Sequence, residues 1–165
     1  MDKPIKHSYC VIPDKVYAGE YAGDLQNPEQ KIRRLEEFGI THFIDLTEEG
    51  ELNSYQYLLD SYVEHHRFPI RDVSVPKSYR EVYDLMEHID SILSNDGNKI
   101  YIHCWGGVGR TGIIVACLYE YYGESFEDSI NHLRQSFKDC VRSLIGVILP
   151  RPKNNWISSA DLGIS

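Results

Sequence analysis

The stretch from Lys99 to Tyr121 limits the possible folds more than any other part of the chain. Lys99-Ile100-Tyr101-Ile102-His103 is a short β-like run, and the loop Cys104-Trp105-Gly106-Gly107-Val108-Gly109 follows it directly. After Arg110, Ile113, Ile114, Cys117, Leu118 and Tyr121 fall on one side of a helix that Gly123 terminates. A strand that passes through so short a loop into a helix belongs to an α/β layer, with the helix packed back on the sheet. Such a loop also points several backbone N–H groups at one spot, where the helix dipole favours negative charge.

The rest of the chain fits that architecture. Three more helices are expected. One starts at Asn27-Pro28, turns Ile32, Leu35 and Phe38 inward and stops at Gly39. A second runs from Ser78 to about Ser94, opened by a Ser78/Glu81 capping box, with Val82, Leu85, Met86, Ile89, Ile92 and Leu93 on one face. A third begins near Ser125 and carries Phe126, Ile130, Leu133 and Phe137 on one stripe. Strand-like runs lie at Val16-Tyr17-Ala18, at 42–46 and at 64–69. The 165 residues match about one domain. The expected fold is a single α/β domain over 1–165, a central mixed sheet of about four to five strands flanked by helices. Strand order is left open, and the ends, 1–13 and 139–165, have no firm assignment. The apolar run 144–149 suits a strand, a helical turn or an interface, and from Asn154 onward fraying is expected.

Charge and composition narrow the function. With 17 Lys and Arg against 25 Asp and Glu, the formal net charge is −8. Broad attraction to nucleic acid or anionic lipid is not expected, so an anionic ligand must be captured by a local set of donors. The apolar stretch 113–119 is far short of the roughly 20 residues that span a bilayer. No apolar segment follows the N-terminal charges, so a cytoplasmic location is expected. The cysteines at 10, 104, 117 and 140 are irregularly spaced and read as free thiols, Cys117 in the core. His65 and His66 would face opposite sides of a strand, and His7, His42, His88 and His132 lack ligand spacing, so no metal and no cofactor is expected.

Two chemical readings of the loop compete. Gly107-x-Gly109-x-x-Gly112 matches a dinucleotide fingerprint, which also wants an acidic residue about 20 positions on, at the end of a second strand. Glu127 and Asp128 sit at that distance, but on the helix that starts at Ser125. A Gly-Lys-Ser/Thr loop is absent, and the nucleotide reading leaves Cys104 and Arg110 without a purpose. The second reading uses both. A thiol at one end of the loop and a guanidinium at the other suit a tetrahedral oxyanion, gripped bidentately by Arg110 and by backbone amides. The same surroundings favour the thiolate, the nucleophilic form. Cysteine, three loop glycines, then Arg and Thr at these spacings would arise by accident in about one such chain in 100,000.

His103-Cys104-x5-Arg110-Thr111-Gly112 resembles the signature of the cysteine-dependent protein tyrosine phosphatase superfamily, and the short chain is most similar to its dual-specificity members. The resemblance covers residues 14 to 138. Val16-Tyr17-Ala18-Gly19 resembles the opening strand, 39–46 the next core strand, and 68–76 the loop that carries the general acid.

The resemblance implies roles. Cys104 is the nucleophile and forms a phosphocysteine. Arg110 and the amides of Trp105, Gly106, Gly107, Val108 and Gly109 bind the phosphoryl oxygens. Asp72 acts as general acid and then general base, Thr111 helps the sulfur leave, and His103 orders the loop from behind. Asp45 reads as structural, and Trp105 as either pocket rim or packing. Asn154 or Asn155 stands in for the water-positioning glutamine of some members, since Gln135 falls within a helix. The implied activity is hydrolysis of protein phosphotyrosine, with or without phosphoserine and phosphothreonine. The alternatives are a phosphoinositide or RNA 5′-phosphate phosphatase, which the absence of Lys and His in the loop interior disfavours, and a phosphate-binding module without turnover. A sulfurtransferase would not need the Asp72 loop. The expected partner is a phosphorylated protein or peptide.

Overall fold

The helix starts follow capping chemistry. In the computed structural model, which describes residues 2–24, 26–71 and 76–138, helix α2 covers Tyr79–Leu93 and the Ser78 hydroxyl accepts the Glu81 N–H at 3.2 Å. Helix α4, Phe126–Phe137, begins the same way, Ser125 accepting from Asp128 N–H at 3.1 Å. Helix α1, Pro28–Glu37, differs from expectation at its start, where Asn27 makes no side-chain cap. Pro28 pre-sets the first turn instead, and Gly39, at φ +107°, ends it. Helix α3 runs Gly109–Tyr121.

Five strands form one sheet: β1 (Ser8–Ile12), β2 (Val16–Gly19), β3 (His42–Asp45), β4 (Glu64–Arg67) and β5 (Ile100–His103), in spatial order β1-β2-β5-β3-β4. Only β1 is antiparallel to its neighbour; β2, β5, β3 and β4 are parallel. The mixed sheet is thus as expected, with β1 added at one edge. The turn after β1 carries Pro13-Asp14, with Asp14 at φ +62° and Lys15 N–H bonded to Ile12 C=O at 3.0 Å. A Pro-Asp pair between two β-rich runs is a hairpin signal that the sequence reading passed over. The fourth strand stops at Arg67, short of Pro69, which has no N–H to offer a ladder. A single 3-10 turn, Gln56–Leu58, precedes it.

Alternation along β5 divides the core. Ile100 and Ile102 pack with Ile44, Met86, Ile89, Val115, Leu118 and Leu133, beneath α2, α3 and α4. Tyr101 packs on the other face with Phe43, Tyr17, Tyr55 and the α1 residues Ile32 and Leu35. β5 lies between β2 and β3, so its carboxyl end opens where connections depart in both directions. In open α/β sheets this is where ligands bind. Among the described residues no helix is long and apolar enough to cross a membrane.

Candidate active site

β5 delivers His103 to the carboxyl edge of the sheet, and the chain turns through 104–108 into α3. Cys104 is buried at 3% exposure, and its Sγ accepts the Gly107 N–H at 3.3 Å. Aiming that amide inward takes an unusual backbone. Gly107 sits at φ +78°, and a Cβ on it would lie 2.2 Å from the Gly19 carbonyl carbon and 2.4 Å from its oxygen. Gly19 is equally hemmed in, since its own Cβ would fall 2.5 Å from His7 O. The bare Gly107 Cα thus lets the loop lie against the end of β2, and the bare Gly19 Cα lets β2 lie close to β1 and Tyr101. Tyr9 Oη donates to Gly107 O at 3.3 Å and Tyr21 N–H to Trp105 O at 2.8 Å, fixing the loop from that side.

His103 lies beneath the loop and is hydrogen-bonded to it. Its Nδ1–H donates to Cys104 C=O at 3.1 Å, which leaves Nε2 to accept the Tyr55 hydroxyl at 2.5 Å. Burial pushes its pKa down to about 4, so the ring is neutral and works as a brace. Asp45 is structural as well. It is buried, accepts Thr47 N–H at 3.0 Å and Thr47 Oγ1–H at 2.6 Å, and pairs with His65 Nε2 at 2.9 Å. Burial opposes its ionisation, but these bonds outweigh it and hold the carboxyl well below the usual range. Arg67 ties the same turn down through Thr47 O at 2.8 Å.

Arg110, 3% exposed, lies in the first turn of α3. Its Nη1 and Nη2 meet Glu51 Oε1 and Oε2 at 2.8 and 2.7 Å, and Nη1 also donates to Ile70 O at 3.0 Å. The sequence reading missed Glu51. Its signal was the acidic run Glu48-Glu49-Gly50-Glu51 just past β3, the strand beside β5 in the sheet. The Arg110 guanidinium holds the Glu51 carboxyl below its ordinary pKa. Tyr55 was missed too, because nothing in its neighbourhood marks it before the 3-10 turn folds it under β5.

The Thr111 hydroxyl is fully buried and has no hydrogen-bond partner among the described residues, while the sulfur accepts the Gly107 amide. Trp105 is 61% exposed, which decides for the rim over the interior. Cys117 is in the core, where burial pushes its thiol up to about 12. Asp72, Cys140, the run 144–149, Asn154 and Asn155 lie outside the described residues.

Two outcomes follow from this geometry. Gly107→Ala drives a methyl group into the Gly19 backbone and turns the amide off the sulfur. Phosphate or vanadate binding, measured by calorimetry, should weaken at least tenfold while the circular dichroism of the sheet and helices persists. Glu51 contributes stability that is present above its unfolded-state pKa of about 4.3 and is lost as pH falls through its lower folded value. Urea midpoints measured from pH 7 to pH 3 should therefore fall more steeply for the wild type than for Glu51→Gln, and the two curves should converge in acid.

Comparison with known proteins shows the family and the fold. Residues 16–142 match the family model described as the Swiss Army Knife protein, DSP-PTPase phosphatase domain. Rat cyclin-dependent kinase inhibitor 3 is 32% identical over 117 residues, covering 66% of this chain and 54% of its own. Rat dual specificity protein phosphatase 26 is 31% identical over 133 residues, 76% of this chain and 59% of its own. The chain spans 35% of the length of an iridescent-virus relative and 59% of the length of the rat phosphatase. The crystal structure of Tk-PTP in the active form superposes with a TM-score of 0.67 at 22% identity, covering 82% of this chain and 87% of that one. Kinase associated phosphatase gives 0.63 at 24%, covering 78% and 79%. The chain belongs to the dual-specificity branch of the cysteine-dependent protein tyrosine phosphatase superfamily.

Proposed function

We propose that this chain is a metal-independent phosphomonoester hydrolase that acts on protein phosphotyrosine, with or without phosphoserine and phosphothreonine. The observation that carries the reading is the loop amide of Gly107 turned onto the Cys104 sulfur, with Arg110 buried in the first turn of the following helix. The unit from 1 to 165 would act as one catalytic domain and would work in the cytoplasm.

The steps balance without a cofactor. Cys104 Sγ attacks phosphorus in line, forming S–P as the P–O bond to the leaving group breaks. Asp72 gives its proton to that leaving oxygen. Water then attacks phosphocysteine, Asp72 takes a proton from it, and the S–P bond breaks to release phosphate. Charge on the equatorial oxygens is met by the amides of 105–109 and by the fork of Arg110 formed by Nε and the outer Nη2 hydrogen. Glu51 and Ile70 O, on the other edge of that guanidinium, set its plane. The buried Thr111 hydroxyl is the donor assigned to the departing sulfur. Trp105, exposed and next to Cys104 in the chain, offers an apolar surface that suits an aryl phosphate.

Hydrolysis of an aryl phosphate should proceed in EDTA. Cys104→Ser should abolish it while vanadate still binds, and Asp72→Asn should lower turnover about 10²–10⁴-fold, least with a good leaving group. Full activity in Cys104→Ser would rule out the covalent route. A panel of phosphopeptides and inositol phosphates then reads the substrate class.

A further inference from the structure

The outer edge of the sheet, at β3 and β4, holds a second cluster of chemically capable side chains, unconnected with phosphate. His42 opens β3, and Glu64 and His66 occupy alternate positions of β4, with His42 directly opposite Glu64 in the parallel register. All three therefore project to the face under α2, whereas His65 projects to the opposite face and pairs with Asp45. One carboxylate oxygen, Glu64 Oε2, lies 2.9 Å from His42 Nε2 and 3.3 Å from His66 Nε2. The three ligand atoms all fall within 4.8 Å of one another. His66 Nε2 is buried and has no hydrogen-bond partner among the described residues, despite that neighbour.

We propose that His42 Nε2, Glu64 Oε2 and His66 Nε2 bind one divalent late first-row transition-metal ion, with Zn²⁺ the best match. Imidazole and carboxylate together are a borderline donor set that such ions favour over Mg²⁺ or Ca²⁺. A tetrahedral ion with bonds of about 2.0–2.1 Å needs ligand atoms about 3.3–3.4 Å apart; the His66–Glu64 spacing matches, and the His42–Glu64 spacing is about 0.4 Å short of it. The supporting contacts are those that a metal-bound imidazole requires. His42 Nδ1 faces Thr41 Oγ1 at 2.8 Å, and that hydroxyl also reaches Lys99 O at 3.1 Å. His66 Nδ1 faces His88 Nε2 of α2 at 3.3 Å. With each Nδ1–H directed to an outer acceptor, each Nε2 lone pair is the one that faces Glu64. The His42 and His66 rings are parallel to within 3°, so sharing an ion takes a rotation of one ring. The His66 side chain, 29% exposed, has room for it.

The bound ion would tie the outermost strand to β3 and, through His88, to α2. It would not touch the phosphate loop. His42 is level with Ile100, three positions before His103, and thus about 10 Å back along the strands from the loop. The ion is assigned a stabilising role and no step in hydrolysis.

Co²⁺ is the probe, since a tetrahedral centre absorbs visibly and Zn²⁺ displaces it. One equivalent per chain should develop the band in the wild type and in Cys104→Ser alike, with no thiolate charge-transfer absorption. Glu64→Gln and His66→Ala should each raise the dissociation constant at least tenfold, and His88→Ala about tenfold. Zn²⁺ should raise the Tm of Cys104→Ser but not that of His66→Ala. Glu64 is exposed, so its variant keeps the reading testable should His66→Ala misfold. Binding that survives Glu64→Gln unchanged, that vanishes in Cys104→Ser, or that fails to appear at micromolar ion would overturn the proposal.

Discussion

The contact between Gly107 and Gly19 governs the site. A helix N-terminus and a cysteine do not by themselves make a phosphate cradle, because the loop between them has to turn its amides inward. Here it does so only because two backbones meet with no Cβ between them, one of them in the left-handed region at φ +78°. The hairpin of β1 and β2 is therefore part of the site. It contributes Gly19 as the wall, the Tyr9 hydroxyl that bonds Gly107 O and the Tyr21 amide that bonds Trp105 O.

Charge is arranged around that cradle in two shells of opposite character. Burying a guanidinium without a partner costs several kcal/mol, and Arg110 is 3% exposed. Glu51 supplies the compensating charge from the turn after β3 and fixes the orientation of the fork. Beneath the loop the groups are kept neutral or locked. His103 is neutral by burial, and Asp45 is ionised but fully engaged with Thr47 and His65. Neither therefore competes with a phosphate for the loop amides or with Cys104 for a proton. The sheet carries a third polar group, His42 with Glu64 and His66, about 10 Å back along the strands from this machinery.

Much of this was legible beforehand. Ser78 and Ser125 announced their helices because capping is local, and the run Ile100-Tyr101-Ile102 announced a strand. The loop announced its chemistry because Cys104, three glycines and Arg110 all lie within seven consecutive residues. Less visible was β1, whose Pro13-Asp14 turn is a weak local signal. Glu51, 59 residues from Arg110, carried no mark of its purpose, since acidic residues after a strand usually face solvent.

The sequence alone determined the helices, four of the five strands, and the nucleophile-to-arginine spacing, because each depends on residues within a few positions of one another. Tertiary structure alone decided the strand order, the pairing of Glu51 with Arg110, the bracing of His103 by Tyr55, and the approach of Gly19 to Gly107. It also brought His42 and His88, set aside for lack of ligand spacing, together with His66, set aside because it faces away from His65, and with Glu64. The physical reason is register. In a parallel sheet, residues about 20 or 60 positions apart become neighbours only once strands have chosen partners, and that choice rests on how the two faces of the sheet are covered.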